Sequence, residues 1–299
     1  DMNNAQALTV GTGNFTINNA ASTYSGAGNV SITNGDLIIS DGTANNFGGT
    51  VDLIAADGDI TVSGGTTTFG GVTTTNGATG GVTISGGTVT NNALLDIGEH
   101  LTMTGGTLTG TGNITVTGNV SLSVAGTFNG NARTISVNGD WDESAAIFVG
   151  GTSTVDFVGT APSVTATNAF GSVTVTGSVT LGSAIVVGGD LQIGAAGALD
   201  VTAADYQLSV GGNWNNAGGT FNEQNGIVEF INNGTIQTSE TFYILEKSTA
   251  GTTTLGADII VTNSVVLTAA TLSTGTAMLT LSGTLWDNIA GTLTGTGEV

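Results

Sequence analysis

The chain has 299 residues, with 22 acidic side chains against two basic ones, a formal charge of −20, one Pro and no Cys. So few cations exclude a phosphate-binding surface, which needs Lys and Arg to displace counterions, and the absent Cys excludes disulfide scaffolds and thiolate metal sites. Fifty glycines without a Gly-X-Y period exclude collagen, and 39% hydrophobic against 8% charged residues is too apolar for a solvated coil.

Helix formers are scarce and β-branched residues abound, which predicts an all-β chain. Asp1 follows no basic, apolar leader, so it reads as a mature N-terminus left by a removed signal peptide, and the composition predicts an extracellular or cell-surface protein. No run approaches the roughly 18 apolar residues of a spanning helix, so membrane insertion is not expected. Anionic membranes and nucleic acid are poor partners for so acidic a chain.

From the N-terminus, "LTVGTGNFTI" (8–17) already alternates as a strand. Further on, "ITVSG" (60–64), "VTISG" (82–86), "LTMTG" (101–105), "ITVTG" (114–118) and "VTVTG" (173–177) repeat an alternation closed by Gly, which predicts short half-buried strands. Gly-Asp and Gly-Asn steps open many of them, at intervals of 58−35=23, 139−118=21 and 212−189=23. Beyond residue 131 a longer beat appears: Trp141, Trp214 and Trp286 stand at nearly equal steps (214−141=73, 286−214=72), with Phe69 one step before them. Three coils of about 24 residues to each beat predict a β-solenoid, a stack of short repeated turns that each lean on the next. The expected form is a right-handed parallel β-helix continuous over 1–299, diverged in 1–130 and clearly repeated in 131–299. Tandem β-sandwich modules are the alternative. No linker separates the repeats, and a sandwich of that length would want a bulkier core. On the solenoid reading Phe69, Trp141, Trp214 and Trp286 are equivalent buried anchors.

The phrases "GGNWNNAGGTFNEQNGIVEF" (211–230) and "TFYILEKSTAGTTTLGADIIVTNSVVL" (241–267) resemble the repeats of large secreted surface proteins of bacteria and archaea, the adhesin-like, filamentous-haemagglutinin-like β-helix families. The resemblance covers about 131–299 and implies an extracellular right-handed β-helix with adhesive or structural roles. It brings no catalytic residues with it.

An enzyme is not expected. Sugar-cleaving β-helices cluster acids with cations, and this chain has only His100, Arg133 and Lys247, with no nucleophile motif around any Ser. His100 reads as a solvent-facing strand or turn residue. Calcium is the one cofactor the residues suggest, at Asp57 and Asp59 or at Asp140, Asp142 and Glu143, although neither cluster matches a calcium-loop motif. The plainer reading is that each turn Asp caps its own backbone. Sequons at Asn14, Asn29, Asn113, Asn119 and Asn233 are expected by chance in so Asn- and Thr-rich a chain. The Thr-X-Thr steps raise an ice-binding face, but the five motifs start at Ile60, Val82, Leu101, Ile114 and Val173, an irregular ladder that argues against it.

The final "LWDNIAGTLTGTGEV" breaks off in mid-pattern, and counting from the tryptophans places Phe15 of a following copy on the beat of Phe242. The expectation is a structural subunit of an extracellular filament or sheath, an open head-to-tail homopolymer. Its joint would involve Leu8, Val10, Phe15, Ile17, Leu285, Leu293 and Val299. The alternatives are an adhesin stalk or passenger segment contacting other cells or polysaccharide, and a fragment of a longer surface protein cut in mid-repeat.

Overall fold

The computed structural model describes residues 2–4, 6–21, 23–55, 57–75, 79–123 and 125–297, so the expectations at Asp1 and Val299 lie outside the described residues. The described chain contains strands and no helix, and it forms two compact units, residues 1–154 and 155–299. Each unit is a right-handed parallel β-helix. The division falls after Thr154.

In the first unit each coil contributes one strand to each of three parallel sheets. The first sheet runs from Met2–Asn4 through Tyr24–Gly26, Asn45–Phe47, Thr66–Phe69, Thr88–Asn91, Thr107–Gly110 and Thr127–Asn129 to Ile147–Val149. The second begins at Leu8–Thr12 and the third at Phe15–Ile17. Such short strands suffice because every inward side chain stacks on its counterpart one rung away. Ladders such as Leu37, Ile60, Val82, Leu101, Val120 and Trp141 fill the interior, all of them buried. Near the beginning of the unit, Tyr24, Phe47 and Phe69 pile up with ring centroids 4.6 and 5.4 Å apart.

The second unit starts with three strands per coil and then changes. Its sheet ending at Thr220–Asn222 stops, and the long strands Glu240–Lys247 and Ile259–Leu267 take over two sides of the coil. A register shift between Phe242 and Ile244 bends the strand where a corner would otherwise stand. Coils here are short, since Gly234 pairs with Thr253 and Thr253 with Leu272 (253−234=19, 272−253=19).

Coil lengths correct the predicted repeat. Partners on successive rungs are separated by as little as 181−164=17, from Val164 to Leu181, and by as much as 214−191=23, from Leu191 to Trp214. Three such coils fall short of the beat between tryptophans. The four anchors also stand in different sheets: Phe69 in the first, Trp141 in the third and Trp214 in the second. Trp286 pairs with Val265 in a fourth sheet, found only in the second unit. The anchors are therefore not stacked equivalents. What repeats is local: Trp141 meets Phe148 edge-on at 4.9 Å and Trp214 meets Phe221 at 4.8 Å, at the same step along the chain and across one corner. Corners are similar enough for one motif to serve at any of them.

Trp141 and Trp214 are fully buried, while Trp286 is only half-buried. Replacing Trp214 with Ala should cost about 3–5 kcal/mol, the usual loss for a buried aromatic, and Trp286→Ala should cost clearly less. Denaturant unfolding of the two variants checks this, and equal losses would contradict the packing described.

Candidate functional site

Arg133, Lys247 and His100 are the natural starting point, because charge-stabilising chemistry draws on such side chains. Arg133 is buried, with its guanidinium fork held by main-chain and side-chain oxygens on three successive rungs. Nε donates to Gly130 O at 2.9 Å, Nη2 to Asn129 O at 2.6 Å, and Nη1 to Gly112 O at 3.2 Å and to Asn91 Oδ1. The Phe128 ring lies 5.8 Å from its carbon centre. Burial lowers its pKa to about 10, which still leaves it charged at neutral pH. This buried cation ties rungs together.

Lys247 is also buried, and its Nζ donates to Thr249 Oγ1 at 3.2 Å. Burial lowers its pKa, opposed by the nearby Glu229 charge. Glu229 itself accepts from Gln207 Nε2 at 2.7 Å, from Ser209 Oγ at 3.1 Å and from Ser248 Oγ. Glu246 sits beside Glu229 on the next rung, and burial first, then that neighbouring charge, raises its pKa. His100 lies in a turn, as expected, with Nδ1 accepting the Asn119 N–H at 2.8 Å and Nε2 3.3 Å from Glu99 Oε1.

The acidic candidates do not converge. Asp142 and Glu143 are adjacent strand residues and so point to opposite faces: Asp142 is exposed, while Glu143 is buried with Oε1 accepting the Phe148 N–H. Asp57 is exposed, and Asp140 stands on the turn before Trp141, its N–H donated to Asn119 Oδ1. Among the described residues no three His, Cys, Asp or Glu side chains come together as a metal cage. Asp59 reveals what the Gly-Asp steps do. Its Oδ1 accepts the N–H of Gly81, one coil ahead, while its own N–H is taken by Asp36 Oδ1. Asn14 does the same for Asp36, starting a ladder that runs up the axis. The expected cap on the residue's own turn is thus a cap on the next rung. All five sequon asparagines join such ladders: besides Asn14 and Asn119, Asn29 holds Thr50, Asn113 holds Thr134 and Asn233 holds Thr252.

A sizeable groove of the second unit opens where its three-strand coils give way to long strands. It measures about 390 Å³ and is lined by Glu240, Thr241, Asp258, Ile260, Met278 and Thr280. Glu240 Oε2 accepts from Trp214 Nε1 at 3.2 Å and from Asn216 Nδ2 at 2.9 Å, and Oε1 accepts the Thr241 N–H at 3.0 Å. Burial outweighs these donors and raises the Glu240 pKa. Asp258 Oδ1 accepts the Met278 N–H at 2.7 Å. Ile260 and Met278 are 44% and 42% exposed, so the groove pairs hydrogen-bonding carboxylates with an apolar floor. Ser239 adds a hydroxyl to the lining, and carboxylates and hydroxyls beside an apolar floor suit holding a side chain by hydrogen bonds and apolar contact. No local pattern in the sequence signals it, because its residues come from successive rungs and meet only once the strands are paired.

No family model, no curated protein and no solved structure matches the chain.

Burial raises the pKa of Glu240, Asp156 and Glu246, all in the second unit. A carboxylate whose folded pKa lies above its unfolded value binds protons more tightly when folded. Stability should therefore grow as pH falls from neutral through the raised values, until the ordinary carboxylate pKa is passed. Melting temperatures measured from pH 7 down to pH 5 should rise for the wild type, and Glu240→Gln should flatten the trend. A wild-type melting temperature that falls over this range would contradict the assignment.

Proposed function

We propose that the chain is a structural, non-catalytic segment of an extracellular filament or sheath, whose copies join end to end by pairing sheet edges. One observation carries this reading: in both units successive strands pair parallel, rung on rung. Each rung of such a stack presents one row of donors and acceptors along the axis in either direction. A rung of one copy can seat on a rung of another in the same sense that rungs already use. The contact is heterologous and does not close, so it propagates.

Side chains on the outermost described rungs are consistent with such seating. Leu8, Val10 and Phe15 are half-exposed, and Ile17 is buried. At the other extreme Leu285 and Ile289 are 52% and 68% exposed, with Trp286 and Leu293 half-buried. Apolar groups this bare gain from a further rung laid over them. Engagement of Arg133 and Lys247 inside the coils supports a scaffold rather than an enzyme. A charge of −20 keeps such copies soluble and holds finished fibres apart by repulsion. No cofactor forms part of the reading, although calcium bridging exposed acids of neighbouring copies would fit the same chemistry. An adhesin stalk is the second reading, favoured by the groove at Glu240 and by the resemblance of residues 211–267.

Thr9 offers a clean test. In a parallel strand alternate N–H groups point to opposite sides, and Leu8 donates inward to Asn29 O at 2.7 Å, so the Thr9 N–H faces the free side. Thr9→Pro should abolish filaments seen by electron microscopy while leaving the circular dichroism spectrum unchanged. Isolated rods from the wild-type chain, or fibres from the variant as long as those of wild type, would leave the adhesin stalk as the better reading.

A further inference from the structure

The outer surface of the first sheet differs from every other face of its unit. Thr66, Thr88, Thr107 and Thr127 stand beside one another on four consecutive rungs, and Thr68, Thr90 and Thr109 form a second rank alongside. Between the ranks Thr67, Val89, Leu108 and Phe128 turn inward and are buried. The result is a two-dimensional array of threonines, repeating at about 4.8 Å from rung to rung and roughly 6.7 Å from rank to rank.

Three features make the array regular and open. The corners before the first three strands are alike, with Gly65, Gly87 and Gly106 at φ of +69°, +69° and +67°, so these three enter the sheet in the same way. A Cβ on Gly87 would stand 2.4 Å from Gly65 O, so no other residue fits this tight stack. Second, the hydroxyls of Thr66, Thr68, Thr88, Thr90, Thr107 and Thr127 have no hydrogen-bond partner among the described residues. Only Thr109 is engaged, accepting from Asn131 Nδ2 at 3.2 Å. Third, the face carries no charge. Its outward positions run from Ser25 and Asn46 through the threonines to Asn129, Ile147 and Val149, in a chain with 22 acidic residues. The neighbouring sheets turn Asp52, Asp96 and Asp142 outward.

An ionic ligand finds nothing to pair with here, and a sugar finds no aromatic platform, because Phe69 and Phe128 face the core. A lattice of water finds hydroxyls that can join its hydrogen bonds and methyls that can sit in its hollows, both at a fixed repeat. We propose that this face binds ordered water and adsorbs to the surface of ice. The motifs whose irregular spacing argued against such a face lie on the second and third sheets, whereas the array stands on the first, where pairing sets the register. This inference stands apart from the filament reading and survives its failure.

The full chain should be taken up into slowly grown ice and should arrest ice recrystallisation. Thr90→Lys, in the middle of the array, should be excluded from ice like an unrelated acidic protein, with unchanged circular dichroism. Thr83→Lys, outward on the third sheet, should behave as wild type. If Thr90→Lys fails to fold, Thr90→Ser keeps the hydroxyl, removes one methyl and should weaken uptake. Exclusion of the wild type from ice overturns the proposal, as does equal uptake of wild type and a folded Thr90→Lys. A wild type that ignores ice but is retained on crystalline chitin, or that pairs through this face in sedimentation, overturns it in favour of that other occupant.

Discussion

Everything in this molecule depends on one constraint: each rung must seat on the previous one in parallel register, at the spacing of a backbone hydrogen bond. A strand as short as Val82–Ile84 has too little local interaction to stand alone. It is stable because Ile60–Val62 lies on one side of it and Leu101–Met103 on the other, residue for residue in phase. The same closeness dictates the corners. At Gly28 an added Cβ would fall 1.9 Å from Gln6 O, so the turns of adjacent coils nest only if the side chain is missing. Abundant glycine is therefore a packing requirement here as much as a conformational one.

Polar groups are organised by that stacking too. Turn Asn and Asp residues sit with a side-chain oxygen beneath the N–H one coil ahead, which satisfies backbone that has left the sheet and would otherwise depend on water. Arg133 extends the principle into the interior. A planar fork with several donors can reach oxygens on three rungs, which a point-like ammonium cannot. Charge that would be costly if unpaired becomes a rivet between coils.

Much of the fold was legible because alternation with a period of two, closed by glycine, is a local signal. The strands Ile60–Val62, Val82–Ile84, Leu101–Met103 and Ile114–Val116 stand where the pattern placed them. The coil length was not legible, because it is set by corners that vary from coil to coil without disturbing the register of the strands. The beat of the tryptophans does not count coils, since the unit it preserves is the Trp-to-Phe corner. The alternation that revealed the strands also parts two of the acidic candidates, since Asp142 and Glu143 are neighbours on one strand and turn to opposite faces. The groove at Glu240 and the threonine array were hidden for a different reason. Both are assembled across rungs, so their members are distant in sequence and adjacent only once the register is known.

The division of labour between the two faces of a strand carries the argument further. Inward positions are dictated by the core, so Val, Ile, Leu and Phe there report packing and nothing else. Outward positions are free of that demand, and the solubility of an acidic chain favours spreading carboxylates over them. Two sheets of the first unit follow this tendency with Asp52, Asp96 and Asp142, while the first sheet departs from it over successive rungs. Packing cannot account for the departure, because the side chains concerned point away from the core. Strand propensity cannot either, because Thr serves equally well at Thr61, Thr83 and Thr102 on the third sheet, where only one rank forms and Asp142 ends it. What distinguishes the first sheet is the combination of two ranks, three like glycine corners and no charge. That combination is a property of a contact surface, not of a fold.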